Sequence, residues 1–109
     1  MMLAVLAALS GAIAVAAGAF GAHGASGPAV EWLKTGAQYQ LIHVVAALVA
    51  VRTEARGPAW LFVIGAAIFA LTLYAMALGA PRWLGAITPI GGALLIGGWL
   101  WLAWSAARS

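Results

Sequence analysis

The sequence contains very little charge and no cysteine. It has five Lys or Arg and two Asp or Glu among its 109 residues, whereas about a quarter of a soluble domain is charged. So few polar groups cannot cover a globular surface, which excludes a soluble protein. A hydrophobic content of 66% excludes a disordered one. The absence of cysteine excludes disulfides, thiolate metal sites and cysteine nucleophiles. The remaining class is an integral membrane protein.

The basic residues do not indicate a nucleic-acid partner. They outnumber the acids and give a net charge of +3, but they are dispersed over several loops. Phosphate binding usually requires a basic cluster. The excess of positive charge therefore reflects the scarcity of acids, and the expected partner is the lipid bilayer.

Four long apolar stretches have the length that a membrane span requires, which is about 20 residues. They leave only short loops between them. We therefore predict an all-α fold, an integral membrane four-helix bundle in which 1–109 forms a single four-span transmembrane domain. The predicted spans are 2–22, 29–51, 59–78 and 89–106.

The first stretch also has features of a signal peptide, but it has no basic residue before it and exceeds the usual 7–15 apolar residues. We therefore interpret it as the first span.

Prolines mark the beginnings of the later helices. Pro28 and Pro58 each suit the first turn of a helix, where the missing N–H has no intrahelical partner. Thr88 followed by Pro89 has the form of an N-cap and a first-turn proline. Alternatively, one helix begins at Arg82 and is kinked near Gly85. The sequence does not separate these two interpretations.

Tryptophans and charges are distributed as expected for a membrane protein with an even number of spans. Indoles prefer the membrane interface, and four spans place Trp32 and Trp83 on one face and three other tryptophans on the opposite face. The face of the termini carries three basic residues, and the other face carries two. This excess favours termini in the cytoplasm. The three tryptophans of the opposite face are Trp60, Trp101 and Trp104. The basic residues on the face of the termini are Arg52, Arg56 and Arg108, and those on the other face are Lys34 and Arg82.

Polar side chains concentrate in the half of the predicted domain that contains loops 23–28 and 79–88. Because a polar side chain at bilayer depth is costly, we expect these residues to face protein or water. Thr35, Tyr39 and His43 recur every four residues and share one stripe of the second helix. The predicted polar cluster, a candidate binding site, comprises His23, Thr35, Gln38, Tyr39, Gln40, His43, Tyr74, Arg82 and Thr88.

The two histidines have both functional and structural interpretations. His43 has the chemistry to relay a proton or to ligate a metal or haem, and equally to hydrogen-bond a neighbour and stabilise helix packing. His23 lies at a helix end, where a solvated or capping role is expected. The two differ in depth by about 10–20 Å, which argues against haem held by both. No metal site is predicted, and the cofactor stays unknown.

The sequence contains no catalytic constellation. It has no serine–histidine–acid arrangement, no HExxH and no pair of carboxylates that would act as acid and base. Lys34 and Arg82 either hold an anionic head group or extend to the interface as ordinary interfacial cations. An enzymatic function is therefore not favoured.

Three functional hypotheses remain. The first is a non-enzymatic membrane protein whose polar cluster binds a lipid head group, a small molecule or a partner helix. The second is solute or proton passage, or a cofactor site, centred on His43. The third is an accessory subunit of a larger membrane complex. A homo-oligomer is compatible with all three.

Three motifs resemble those of one family. They are GAFGAHG at 18–24, WxxTxxxYQxxH from Trp32 to His43, and ITPIGG at 87–92 followed by Gly98-Trp99. In this order they resemble the bacterial YgdD-like family, domain of unknown function 423, which is similar to a small mitochondrial transmembrane protein of animals. The resemblance implies a four-helix protein of the bacterial inner membrane or its organellar counterpart. It implies no activity, substrate or cofactor.

Overall fold

The computed structural model of the protein describes residues 1–108 and contains four long α-helices and one short 3₁₀ helix. They are α1 (Met2–His23), α2 (Pro28–Arg52), α3 (Arg56–Ala77), the 3₁₀ helix (Arg82–Ala86) and α4 (Thr88–Arg108). The described residues contain no strand. The all-α prediction with four helices is therefore confirmed. Ser109, the last residue of the predicted domain, lies outside the described residues.

The helix boundaries agree with the prediction at α2 and differ at α3. Pro28 is the first residue of α2, as predicted. In contrast, α3 begins at Arg56, two residues before Pro58, so Pro58 does not open this helix. A proline is tolerated there because the first four N–H groups of a helix have no intrahelical partner. The link between α2 and α3 consequently shortens to residues 53–55.

The fourth helix begins at Thr88, one residue before the predicted start. The alternative of one α-helix from Arg82 is wrong, because residues 82–86 form the separate 3₁₀ helix. The predicted N-cap is also wrong. The Thr88 hydroxyl shares a hydrogen bond with the Thr72 hydroxyl at 2.6 Å and donates to the Leu84 carbonyl oxygen at 3.3 Å. Thr88 is thus a helical residue whose side chain reaches α3.

α2 and α3 form the central pair of helices. α1 packs mainly on α2, and α4 packs on α3 and on the 3₁₀ helix, whereas α1 and α4 make no comparable contact with each other. The molecule is elongated, with extents of 47 × 25 × 19 Å. A broad face of α2 is left without a covering helix.

Glycines allow α3 and α4 to approach closely. A Cβ at Gly91 would lie 2.5 Å from the Phe69 backbone nitrogen and 2.7 Å from the Gly65 carbonyl oxygen. A Cβ at Gly98 would lie 2.7 Å from the Phe62 ring. Because apolar burial between helices gains little in lipid, such close backbone contact is what stabilises helix association there.

Three segments are long and apolar enough to cross a membrane. They are Met2–His23, Arg56–Ala77 and Arg82–Arg108. α2 is less apolar, because its first half carries Glu31, Lys34 and two glutamines. Large apolar side chains lie exposed on the outer surfaces of the helices, as lipid contact requires.

We expect Gly91→Ala to lower the free energy of unfolding by about 1–3 kcal/mol, because the added methyl group overpacks the α3–α4 contact. Gly92→Ala is the matched control, since its Cβ would meet nothing nearer than the Phe69 ring at 3.9 Å. The measurement is unfolding in detergent micelles followed by circular dichroism. Equal losses in both variants would contradict the importance of this contact.

Candidate functional site

Gln40 connects three helices inside the protein. Its Nε2 donates to Ser10 Oγ of α1 at 2.8 Å, and its Oε1 accepts a hydrogen bond from the Tyr74 hydroxyl of α3 at 2.7 Å. Gln40 is 2% exposed and Tyr74 is 8% exposed. Gly36 provides the space for the tyrosine, because a Cβ there would lie 2.7 Å from its ring. These contacts join α1, α2 and α3 at one level.

His43 connects α2 to α4. Trp99 Nε1 donates to His43 Nε2 at 2.9 Å, and His43 Nδ1 lies 2.7 Å from the Tyr39 carbonyl oxygen. Because an indole N–H is only a donor, Nε2 is the acceptor and Nδ1 carries the proton. The hydrogen bonds therefore select the neutral tautomer. The ring is buried and packs against Phe62 and Trp99, so neither ring nitrogen is free for a ligand.

Thr72 and Thr88 form a third polar contact, between α3 and the beginning of α4. The Thr72 hydroxyl also donates to the Ile68 carbonyl oxygen at 2.8 Å. Within residues 1–108, no buried side-chain nitrogen or oxygen lacks a hydrogen-bond partner. The interior polar groups are thus bonded to one another.

The structure divides the predicted cluster into interior and surface residues. The interior residues are Gln40, His43, Tyr74 and Thr88. Thr35 is half-buried, and the remaining members are exposed, namely His23, Gln38, Tyr39 and Arg82. The four interior residues belong to three separate hydrogen-bonded contacts, those of Gln40 with Tyr74, of His43 with Trp99 and of Thr88 with Thr72.

The stripe predicted on α2 lies at the edge of its buried face. Gly36, Gln40 and Ala47 lie in the middle of that face, about 60–100° around the helix from the Tyr39 position. The Tyr39 side chain stays 46% exposed, and its ring packs on Phe69. It is the Tyr39 carbonyl, not its hydroxyl, that bonds His43.

Sequence reasoning missed three polar residues that make these contacts. Trp99 lies in the middle of the α4 apolar run, away from the interface that indoles prefer, and an indole N–H at bilayer depth needs an acceptor. Ser10 is the only hydroxyl residue of α1. Both features were signals in the sequence. Thr72 was a weaker signal, because the hydroxyl of a helical threonine often bonds a backbone carbonyl of its own helix.

Two cations lie at the end of the molecule where α2 begins. The Arg82 guanidinium lies 5.5 Å from the centre of the Trp32 ring, a cation–π distance. Lys34 borders a groove of about 320 Å³, and this α1–α2 groove is otherwise lined by Gly18, Gly21, Ala22 and Val30. Trp32 and Lys34 are about 200° apart around the helix, so the two cations do not converge on one ligand.

The uncovered face of α2 also carries polar groups. A shallow groove of about 530 Å³ is lined by Gln38, Tyr39, Leu41, Ile42 and His43. The Gln38 amide and the Tyr39 hydroxyl make no hydrogen bond to any residue in the described part of the chain.

Residues 1–108 contain no group of three or more His, Cys, Asp or Glu that would hold a metal.

We expect Gln40→Leu to destabilise the protein by about 1–3 kcal/mol, because it leaves the half-buried Ser10 hydroxyl and the buried Tyr74 hydroxyl without their partner. A double-mutant cycle with Tyr74→Phe should show a coupling free energy of about 0.5–1.5 kcal/mol. The control cycle with Trp99→Phe should be additive within about 0.5 kcal/mol, since Trp99 bonds His43 instead. Equal coupling in both cycles would contradict two separate networks.

Comparison with known proteins confirms the resemblance seen in the three motifs. A family model described as a protein of unknown function (DUF423) matches residues 17–92. The UPF0382 membrane protein of Haemophilus influenzae is 40% identical over 116 residues, covering 95% of this chain and 92% of that protein. The UPF0382 inner membrane protein YgdD of Escherichia coli K12 is 38% identical over 115 residues, covering 95% and 88%.

A shorter match is more similar in sequence. The UPF0382 membrane protein SH2409 of Staphylococcus haemolyticus is 56% identical over 43 residues, or 39% of this chain and 35% of that protein. No solved structure matches the chain. The family model and the two nearly full-length relatives agree on one assignment. The chain belongs to the DUF423 family and is a membrane protein related to the UPF0382 proteins.

Proposed function

We propose that the protein is a non-enzymatic, four-span protein of the bacterial inner membrane that binds an anionic phospholipid at Lys34. The observation that carries this proposal is the α1–α2 groove, an apolar channel with one exposed ammonium group at its edge. The lipid phosphate would contact Lys34, and an acyl chain would follow the groove.

The shape and the chemistry of the groove suit a phospholipid. Gly18 and Gly21 let α1 approach α2 closely beside the groove, because a Cβ at these positions would lie 3.4 Å from Ala37 and 3.0 Å from Leu33, and Ala22 and Val30 supply apolar walls. Lys34 lies about 9 Å along α2 from its first residue, so its long side chain can reach the head-group region. An ammonium group offers three donors to a phosphate.

The interior contacts support a non-enzymatic role. A proton relay or cofactor site at His43 requires a free ring nitrogen, whereas both nitrogens have protein partners. Gln40 and Tyr74 likewise satisfy each other. These groups suit the stabilisation of helix packing better than chemistry on a ligand.

We further propose that α2 is a span, so that the chain forms one four-span domain. α2 packs along its length against α1 and α3, with contacts near its beginning at Leu33 and near its end at Ala50. The neighbouring helices thus cover one face of α2 from its beginning to its end, and the opposite face stays open to lipid. The excess of basic residues beside the termini supports a cytoplasmic position for both.

Cysteine labelling tests the four-span topology, because the chain has no native cysteine. Ser26→Cys and Thr53→Cys lie on the two sides of α2. In intact cells, we expect a membrane-impermeant thiol reagent to label Ser26→Cys and not Thr53→Cys. Permeabilised cells should show labelling of both. Labelling of both variants in intact cells would contradict a spanning α2, and the reverse pattern would contradict the proposed orientation.

Lipid binding is tested with the full chain in nanodiscs of phosphatidylglycerol and phosphatidylcholine, with bound lipids counted by native mass spectrometry. Removing the charge with Lys34→Gln should weaken phosphatidylglycerol retention about fivefold, since one cation near a membrane surface contributes about 1 kcal/mol. Arg52→Gln removes the same charge at the opposite end of α2 and should have little effect.

A second pair of variants tests the groove itself. Ala22→Leu fills it without entering the core, because Ala22 is exposed, and should also reduce retention. Ala19→Leu, at an exposed α1 position outside the groove lining, is the control. Unchanged retention in both Lys34→Gln and Ala22→Leu would refute the proposed lipid site.

A further inference from the structure

We propose that a second copy of this chain packs against the uncovered face of α2 and that the Gln38 side chains of the two copies hydrogen-bond to each other. This inference goes beyond lipid binding. It depends only on the proposed position of α2 across the membrane. Three observations support it: the spacing of the exposed residues, the unpaired amide and its depth.

Four exposed residues of α2, preceded by the half-buried Thr35, follow the spacing of a helix–helix seam. Thr35, Gln38, Ile42, Val45 and Val49 are separated by three, four, three and four residues. This alternation is the heptad pattern of helices that cross at about 20°. Four of the five are β-branched, so their side chains lose little rotamer freedom when they pack.

These residues are accessible to a partner. Ile42 is 58% exposed, and Val45 and Val49 are each 55% exposed. α1 covers the side of α2 that includes Ala37 and Val44, and α3 covers the side that includes Gly36 and Gln40. The seam lies roughly opposite these contacts, at the centre of the uncovered face.

Gln38 distinguishes this face from an ordinary lipid-facing surface. Its side chain is exposed and has no hydrogen-bond partner among the described residues. Gln38 lies about 15 Å along α2 from Pro28, inside the hydrocarbon when α2 spans the membrane. An amide is costly at that depth, because lipid chains offer it no partner.

A second copy supplies the partner that this amide requires. An amide has both donors and an acceptor, so it pairs with an identical amide. Copies inserted in one orientation are related by a twofold axis along the membrane normal, which places the same residue of each copy at the same depth. Gln38 therefore meets Gln38, and an amide in the largely apolar part of a seam specifies its register.

The ends of the seam are compatible with this contact. The shallow groove beside Gln38 and Ile42 provides space for side chains of the second copy. Glu31 continues the seam one step towards the head groups, where solvent and salt weaken the repulsion between two carboxylates. Lys34, at the edge of the α1–α2 groove, stays outside the seam.

Disulfide crosslinking in liposomes tests where two copies meet. Ile42→Cys lies in the seam, and Ile13→Cys is the control because Ile13 is 47% exposed on α1. Its depth is similar, since a Cβ at neighbouring Gly11 would lie 3.4 Å from Val44, which is near Ile42 on α2. We expect oxidation to give covalent dimers of the full chain with Ile42→Cys and few with Ile13→Cys. Equal crosslinking of both, or none with Ile42→Cys, would overturn the proposal.

The role of the amide is tested by dimerisation measured with single-molecule photobleaching across protein-to-lipid ratios. Gln38→Leu should weaken association about 3- to 30-fold, the range given by hydrogen bonds between polar side chains in membranes. Gln38→Asn keeps an amide group and should therefore weaken association less than Gln38→Leu does.

Circular dichroism should show that these variants are folded. A wild-type protein that is monomeric at every ratio, or a Gln38→Leu variant that dimerises as well as wild type, would overturn the proposal. The labelling of Ser26→Cys and Thr53→Cys shows separately whether α2 spans the membrane, so a failure of the topology is distinguishable from a failure of the dimer.

Discussion

The hydrogen bonds of Gln40 to Ser10 and Tyr74 are the contacts on which the arrangement of the first three helices depends. Lipid is as apolar as the helices, so burying leucine or valine between helices gains little in a membrane. Polar groups, in contrast, must find partners inside the protein. Gln40 supplies a donor to α1 and an acceptor to α3. Because the Gln40 side chain must point inward to make both bonds, it determines which face of α2 contacts α1 and α3.

The fourth helix is attached by different means. Its backbone approaches α3 closely at Gly91, and the Thr72–Thr88 contact holds its beginning. The bond from Trp99 to His43 then connects it to α2. This bond accounts for the histidine, which would otherwise suggest proton or metal chemistry. With one nitrogen bonded to an indole and the other to a carbonyl oxygen, His43 joins α2 to α4.

The proposed functions consequently lie on the outer surface of α2. The α1–α2 groove lies beside the uncovered face that carries the seam, and Lys34 and Gln38 are about 40° apart around α2. The groove offers a charge to a lipid phosphate, whereas the seam offers an amide to its own copy. The proposed lipid site and the proposed dimer contact each use a polar group of α2 that takes no part in the interior contacts. α2 supplies both groups because it is the least apolar of the four helices.

Some of this was predictable from the sequence. The scarcity of charge established the membrane class, the apolar runs gave four helices, and Pro28 marked the beginning of α2. The three motifs placed the chain in its family. The predictions that α3 begins at Pro58 and that Thr88 caps α4 were wrong. A proline fits several positions in the first turn of a helix, and a threonine fits several positions near a helix end.

The tertiary structure decided which polar residues face inward. Helical periodicity gives the angle between two residues of one helix, such as Tyr39 and Gln40, but not the rotation of that helix towards its neighbours. Close contacts between helices determine that rotation, for example at Gly36 and Tyr74. The partners of Gln40 and His43, Ser10 and Trp99, lie 30 and 56 residues away in the chain. Sequence therefore determined what had to be buried or bonded, and only packing decided with which partner.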